Sequence, residues 1–200
     1  MSAPIDFYFD FASPYAYVGS RLLEDIATRH QRSVIWHPLV VGQGFRAVGG
    51  AALPALPMRS EYVERDVSRL ARSLGIPYQH PKHLHVPTHH AAHAFLYGQD
   101  RDPEAAKKFA RQVFDAHFVE GRNISDLDVV LDLAEAFGFD RSSAREELNG
   151  AALKERLKAE TEVALSRGVF GVPFTIVAGE PFWGYSRLPL VERWIAEGPF

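Results

Sequence analysis

Ile5-Asp6-Phe7-Tyr8-Phe9-Asp10-Phe11 runs directly into Ala12-Ser13-Pro14-Tyr15-Ala16-Tyr17, and the fold is read from that junction. Ile5 to Phe11 is aromatic, apolar and partly alternating, the pattern of a buried strand. Ser13 before Pro14 marks a helix start: the hydroxyl caps free N–H groups, and a first-turn proline has no N–H to leave unsatisfied. Leu22, Leu23, Ile26 and Ala27 give that helix its apolar stripe. Val34-Ile35-Trp36, closed by Pro38, is a second short strand. Strand, helix and strand with short connections predict a βαβ unit, hence parallel pairing with a right-handed crossover.

Beyond this unit the pattern changes. Residues 42–57, with Gly42, Gly44, Gly49, Gly50, Pro54 and Pro57, read as a loop, and from about 59 to 167 the periodicity is helical. Val63, Val67, Leu70, Ala71 and Leu74 share one face, stopped at Gly75-Ile76-Pro77. Ala91, Ala92, Phe95 and Leu96 mark a second helix, and Phe109, Val113 and Ala116, flanked by Ala110, Phe114 and His117, a third. Ser125-x-x-Asp128 reads as a capping box for a helix carrying Leu127, Val130, Leu131 and Ala134 and stopped by Gly138. Asp140 and Asn149-Gly150 bracket a short helix, and Ala151 to Arg167 forms another. Strand character returns at Phe174–Val177, and the turn Ala178-Gly179 leads into Glu180–Trp183 as a hairpin. Leu188, Val191, Trp194 and Ile195 mark a last amphipathic helix.

Composition narrows the chemistry. The chain has 200 residues, 46% hydrophobic and 24% charged, with 15 Gly and 13 Pro, as expected of one globular unit. Lys and Arg number 22 against 25 Asp and Glu, a net charge of −3, so no general basic field for nucleic acid exists. The absence of cysteine excludes disulfides, cysteine-held zinc or iron–sulfur sites and thiol nucleophiles. Any sulfur chemistry must arrive on a ligand. Met1-Ser2-Ala3-Pro4-Ile5-Asp6 lacks a basic region followed by an apolar core, and no run approaches ~18 apolar residues. The expectation is a soluble, cytoplasmic protein without a membrane partner.

Four features are candidates for chemistry. Ser13-Pro14 is an ordinary N-cap or, alternatively, a place where free N–H groups and the positive end of a helix dipole stabilise a thiolate beside a serine hydroxyl. Gly171-Val172-Pro173 is a turn opening a strand or, alternatively, a cis proline whose preceding backbone pairs with an extended peptide-like ligand. Histidines cluster at His80, His83, His85, His89, His90 and His93; His89 and His93 have the spacing of two metal ligands, but no third-ligand pattern accompanies them, and a polar helix entry is expected instead. Glu24-Asp25 and the acidic runs at 146–147 and 160–162 read as solvated helix faces.

The first two features together resemble the thioredoxin fold, with Ser13-Pro14-Tyr15-Ala16 standing where its redox members carry C-P-x-C. More closely, Asp6 to Tyr17 resembles the opening of the 2-hydroxychromene-2-carboxylate isomerases, related to kappa-class glutathione transferases in the DsbA-like group. The likeness continues through Pro57-Met58-Arg59-Ser60-Glu61-Tyr62 with Asp66, Leu74-Gly75-Ile76-Pro77, Gly168 to Pro173, Phe182-Trp183-Gly184 and Arg187-Leu188. It implies an α/β fold: a thioredoxin-like domain formed by residues 1–45 and 168–200, split by residues 46–167 as a loop plus a large all-helical insertion.

The resemblance further implies glutathione as cofactor and an apolar aromatic small molecule as substrate. Ser13 matches the family's catalytic serine, which acts on the glutathione thiol. Val172 and cis-Pro173 match the backbone site for its cysteinyl part, and Trp183-Gly184-Tyr185-Ser186 the loop at its γ-glutamyl end. Arg59 falls where the family has a lysine, and Arg46 or Arg59 would supply the cation for a substrate carboxylate. A homodimer is expected from the relatives. Two departures stand out: Tyr185-Ser186 lacks the family's aspartate after Trp-Gly, and Gly49-Gly50-Ala51-Ala52 lacks its asparagine. Isomerase activity is the expectation, with a kappa-type transferase or peroxidase, or a non-catalytic thiol-binding relative, as the alternatives.

Overall fold

Strand β1 (Ile5–Phe9) lies between two partners and organises the sheet in the computed structural model, which describes residues 3–41, 57–82, 84 and 86–200, with only the backbone course at 57–60. On one side β2 (Val34–Pro38) runs parallel to it, from Ile5↔Val34 to Phe9↔Pro38. On the other, β3 (Phe174–Val177) runs antiparallel, from Ile5↔Val177 to Tyr8↔Phe174. β4 (Glu180–Trp183) pairs antiparallel with β3, giving the order β2-β1-β3-β4. This mixed sheet joins the expected βαβ unit to the expected hairpin.

Alternation along β1 assigns its side chains to two cores. Phe7 and Phe9 face one way, their rings 5.7 Å apart, with the Trp36 ring edge-on at 5.3 and 5.2 Å. That face meets α1 (Pro14–Arg29), α3 (His89–Gln99) and α4 (Pro103–Phe118), with Phe95 5.6 Å and Phe114 5.8 Å from Phe9. Tyr8 points the other way, into a smaller cluster with Leu39, Ala164, Val169, Phe174 and Ile176.

The helical block comprises α2 (Pro57–Leu74), α3, α4, α5 (Leu127–Glu135), α6 (Arg141–Asn149) and α7 (Ala151–Ser166). A 3₁₀ turn (Tyr185–Arg187) and α8 (Leu188–Glu197) follow the hairpin. Together with α1 they make eight α-helices among the described residues. Several boundaries have a local cause. Asp102 and Asp140 cap α4 and α6, and Gly75, Gly138 and Gly168 take positive φ where α2, α5 and α7 have ended.

Three local readings are corrected. β1 ends at Phe9 rather than Phe11, because the Asp10 carboxylate accepts the Ala12 amide at 3.0 Å and turns the chain. The cap of α5 is Asp126, which accepts the Asp128 amide at 2.9 Å; the Ser125 hydroxyl is engaged by Asn123 at 2.7 Å, so no Ser125 capping box forms. Glu24 is not a simple solvated charge. It accepts the indole N–H of fully buried Trp36 at 2.8 Å and pairs with Arg111 at 3.3 Å, satisfying a donor that burial would otherwise leave orphaned.

Gly98 offers a test in which two effects oppose one another. Alanine is favoured over glycine in a helix by about 1 kcal/mol. A Cβ at 98, however, would lie 2.1 Å from the Phe139 ring, which Tyr97 and Phe109 hold at 5.8 and 5.9 Å. Overpacking therefore wins, and Gly98→Ala is expected to lower the unfolding free energy by about 1–3 kcal/mol in a denaturant melt. A variant as stable as wild type contradicts this packing.

Candidate active site

The sheet register gathers residues that are far apart in sequence. Tyr8 pairs with Phe174 and Phe174 with Trp183, so the end of β1, the start of β3 and the end of β4 share one edge of the sheet. The segments leaving that edge are the Ser13 turn, Val172-Pro173 and Trp183–Ser186. The Val172–Pro173 bond is cis. A Cβ placed on Gly19 of α1 would lie 3.5 Å from the Pro173 ring and 3.6 Å from Tyr185, which shows how closely α1 passes both.

Ser13 caps α1, as its local sequence requires. Its backbone is extended and its Oγ accepts the Ala16 amide at 3.1 Å. Its own amide donates to the Asp10 carbonyl at 2.9 Å, and its carbonyl accepts the Tyr17 amide at 3.0 Å. Pro14 has no amide hydrogen, so Tyr15 supplies the first-turn amide with no partner among the described residues. The Ser13 hydroxyl still has its proton to donate. An anion at this mouth would meet a hydroxyl, an amide and the positive end of the α1 dipole. The donor set fits a thiolate: all its members are hydrogen-bond donors or dipole, and none is an acid.

Aromatic rings wall the mouth. Tyr15 stacks on Tyr185 with centroids 5.4 Å apart and planes within 5°. The Tyr15 hydroxyl donates to Asp66 at 2.8 Å, and Asp66 also pairs with Arg69 at 3.0 Å, tying α2 to the start of α1. Burial and the neighbouring carboxylate raise the Tyr15 pKa, so it remains a neutral donor. Trp183 is 56% exposed and meets Phe170 edge-on at 4.9 Å. Gly184, at φ 92°, donates its amide to the Pro173 carbonyl at 2.9 Å. The Ser186 hydroxyl lies 3.4 Å from Arg187, which donates to it.

Ser13, Val172, Pro173, Trp183, Gly184, Tyr185 and Ser186 thus converge on one edge. Arg46, His83, His85 and the 49–52 departure lie outside the described residues, as does the side chain of Arg59, whose backbone is in the first turn of α2. His89 and His93 share a face of α3 with rings 6.0 Å apart, but His93 donates through Nδ1 to the Leu148 carbonyl at 3.0 Å, and His80 pairs with Tyr78 at 3.1 Å. No group of three or more potential metal ligands assembles among the described residues.

Sequence reasoning passed over Asp10 and Thr88. Asp10 is 6% exposed, and its carboxylate accepts from Ala12, from the Val41 amide at 2.9 Å and from the Thr88 hydroxyl at 2.8 Å. The available signal was an acid closing an otherwise apolar run three residues before Ser13.

Known proteins resemble this chain over nearly its whole length. A family model described as a DSBA-like thioredoxin domain matches residues 4–196. The 2-hydroxychromene-2-carboxylate isomerase of Pseudomonas putida is 30% identical over 192 residues, covering 94% of this chain and 92% of that one. Human glutathione S-transferase kappa 1 is 26% identical, covering 98% and 94%. A solved 2-hydroxychromene-2-carboxylate isomerase superposes with a TM-score of 0.87 at 28% identity, covering 97% and 95%. The chain belongs to the DsbA-like thioredoxin-domain family, and within it to the 2-hydroxychromene-2-carboxylate isomerase family related to the kappa-class glutathione transferases.

Proposed function

We propose that this protein is a glutathione-dependent isomerase of a hydroxychromene-carboxylate-like aromatic substrate. The observation that carries the reading is a serine-capped helix mouth on the same sheet edge as cis-Pro173 in a chain that has no thiol of its own. Similarity to isomerases over nearly the whole chain supports the substrate class.

Glutathione, when bound, would supply a thiol able to add reversibly to a conjugated double bond and leave again by elimination, so that the bond between can rotate. Ser13 donates its hydroxyl proton to the sulfur as a hydrogen bond, and the Tyr15 amide and α1 dipole favour its charge. An anion at a helix N-terminus gains about 0.3–1 kcal/mol and a hydrogen bond to a charged group about 1.5–3 kcal/mol. Together these lower a thiol pKa by roughly one to three units, enough to make the thiolate abundant at neutral pH. The Val172 backbone pairs with the cysteinyl part, and Trp183, Gly184, Tyr185 and Ser186 receive the γ-glutamyl end. Arg46 or Arg59 holds the substrate carboxylate. Because addition and elimination return every proton and electron, the enzyme needs no redox partner.

We also place residues 46–167 as an insertion domain within a thioredoxin-like domain of 1–45 and 168–200, and the protein in the cytoplasm as a homodimer without nucleic-acid or membrane partners. No helix among the described residues is long and apolar enough to cross a membrane. The kappa-type transferase reading draws on the likeness to human glutathione S-transferase kappa 1.

Glutathione bookkeeping separates these readings. With glutathione far below substrate, the isomerase completes many turnovers and leaves free thiol unchanged, whereas a transferase removes one thiol per product. Calorimetric binding without turnover on either class of electrophile marks a binding protein. Ser13→Ala is expected to lower kcat/KM by roughly 10²-fold, as loss of one pre-placed donor does, and to raise the bound thiol pKa in an ultraviolet thiolate titration. Loss of the cap costs about 1 kcal/mol, a fall in Tm of about 2–4 °C. Unchanged turnover in that variant removes Ser13 from the mechanism.

A further inference from the structure

Asp10 is the only buried acid among the described residues, and it lies directly beneath the Ser13 turn. Three elements supply its donors: Ala12 from the turn and Thr88 from the start of α3 on Oδ1, and Val41 from just beyond β2 on Oδ2. Its carbonyl takes the Ser13 amide as well. Thr88 occupies the N-cap position of α3 but gives that helix no side-chain cap, because its hydroxyl is turned to Asp10. Ser13, Asp102, Asp126 and Asp140 all cap their helices. A favourable local arrangement has been forgone at α3, and such departures concentrate at functional sites.

The carboxylate has no ion-pair partner among the described residues. Titratable groups on the elements around it are engaged elsewhere: Asp6 with His37 and Arg167, Tyr8 with Arg167, Tyr15 with Asp66, Tyr17 with the Pro77 carbonyl, and His93 with the Leu148 carbonyl. The His89 and His90 rings lie 4.1 Å apart, tilted by 44°, and the buried His90 Nδ1 has no hydrogen-bond partner among the described residues. Burial raises the Asp10 pKa and the three hydrogen bonds oppose that rise. Only the ionised form satisfies all three donors. A proton on Oδ2 would confront the Val41 N–H, and one on Oδ1 is accommodated only if the Thr88 hydroxyl reverses to accept and ceases to donate. A buried carboxylate held by hydrogen bonds, with no ion pair among the described residues, adds little to folding stability, and this one lies directly under the site.

We propose that Asp10 is a positioning residue for the chemistry at Ser13, its ionised carboxylate clamping the Ser13 turn, the chain leaving β2 and the first turn of α3 into one unit. The inference rests on the glutathione-dependent reading for what Ser13 does, whereas the clamp itself is observable without glutathione. Protonation releases the clamp, so Asp10 sets the acid limb of activity. Thr88 stabilises the ionised form, and removing its hydroxyl must move that limb to higher pH.

The test uses the full chain as wild type, Thr88→Val, which keeps the shape and removes the hydroxyl, and Thr88→Ser, which restores it. Amide NMR signals of Ala12, Ser13 and Val41 are followed against pH beside the pH profile of kcat/KM. The expected result is one midpoint shared by the three amides and the acid limb, raised by about one unit in Thr88→Val, as loss of a hydrogen bond to a charged group does, and returned by Thr88→Ser. Thr88→Ala carries the same expectation should the valine variant fail to fold. A midpoint that does not move, or one that moves while the acid limb stays, overturns the proposal. A moved midpoint in a chain that never turns over with glutathione supports the clamp and overturns the glutathione reading alone.

Discussion

The double register of β1 is the constraint on which the rest of the structure depends. Phe9 opposite Pro38 on the parallel side and Tyr8 opposite Phe174 on the antiparallel side bring residues some 160 positions apart to one edge of the sheet. A slip of one residue on the β3 side would move Pro173 away from α1 and exchange the two faces of β3. The aromatic rings enforce the register. Phe7 and Phe9 fit against Trp36 on one face only, and Tyr8 enters its separate cluster on the other.

The two faces are secured by different chemistry. On the helical side, apolar packing dominates and polar groups appear as single fastenings, such as Glu24 on the Trp36 indole. On the Tyr8 side, Asp6 gathers His37 at 2.8 Å and Arg167 at 2.6 Å, and Arg167 also reaches the Tyr8 hydroxyl. Burial opposes the Asp6 charge, but these hydrogen bonds and the neighbouring positive charges outweigh it and lower the pKa. With its folded pKa below the unfolded value, Asp6 contributes stability above the carboxylate range, and that contribution disappears as pH falls through the folded pKa. The network fastens the end of α7 to the sheet on the face opposite α1, α3 and α4.

Local chemistry was legible in the sequence, and long-range partnership was not. The start of α1, the stops at Gly75 and Gly138, the Asp140 cap and the Ala178-Gly179 hairpin each arise from residues a few positions apart, so their patterns announce them. The Ser125 capping box failed by one residue because an asparagine two positions earlier competes for the serine hydroxyl, a rivalry that spacing alone does not reveal. Glu24 looked solvated because its indole partner is twelve residues away on another element. Asp10 and Thr88 were invisible for the same reason, since 78 positions separate two side chains that meet at 2.8 Å. The edge holding Ser13 and Pro173 became readable only through family likeness, which carries tertiary information that periodicity lacks.

Gly171 closes off one route by which this site could be altered. The Trp183 indole nitrogen lies 2.8 Å from where any β-carbon at 171 would stand. The approach to Val172 from that flank is therefore bare main chain roofed by an indole, and a side chain at 171 requires that ring to shift. Trp183 is already largely exposed, so the displacement would be toward solvent and would unroof the flank. Widening the entrance for a bulkier guest thus couples position 171 to the ring at 183.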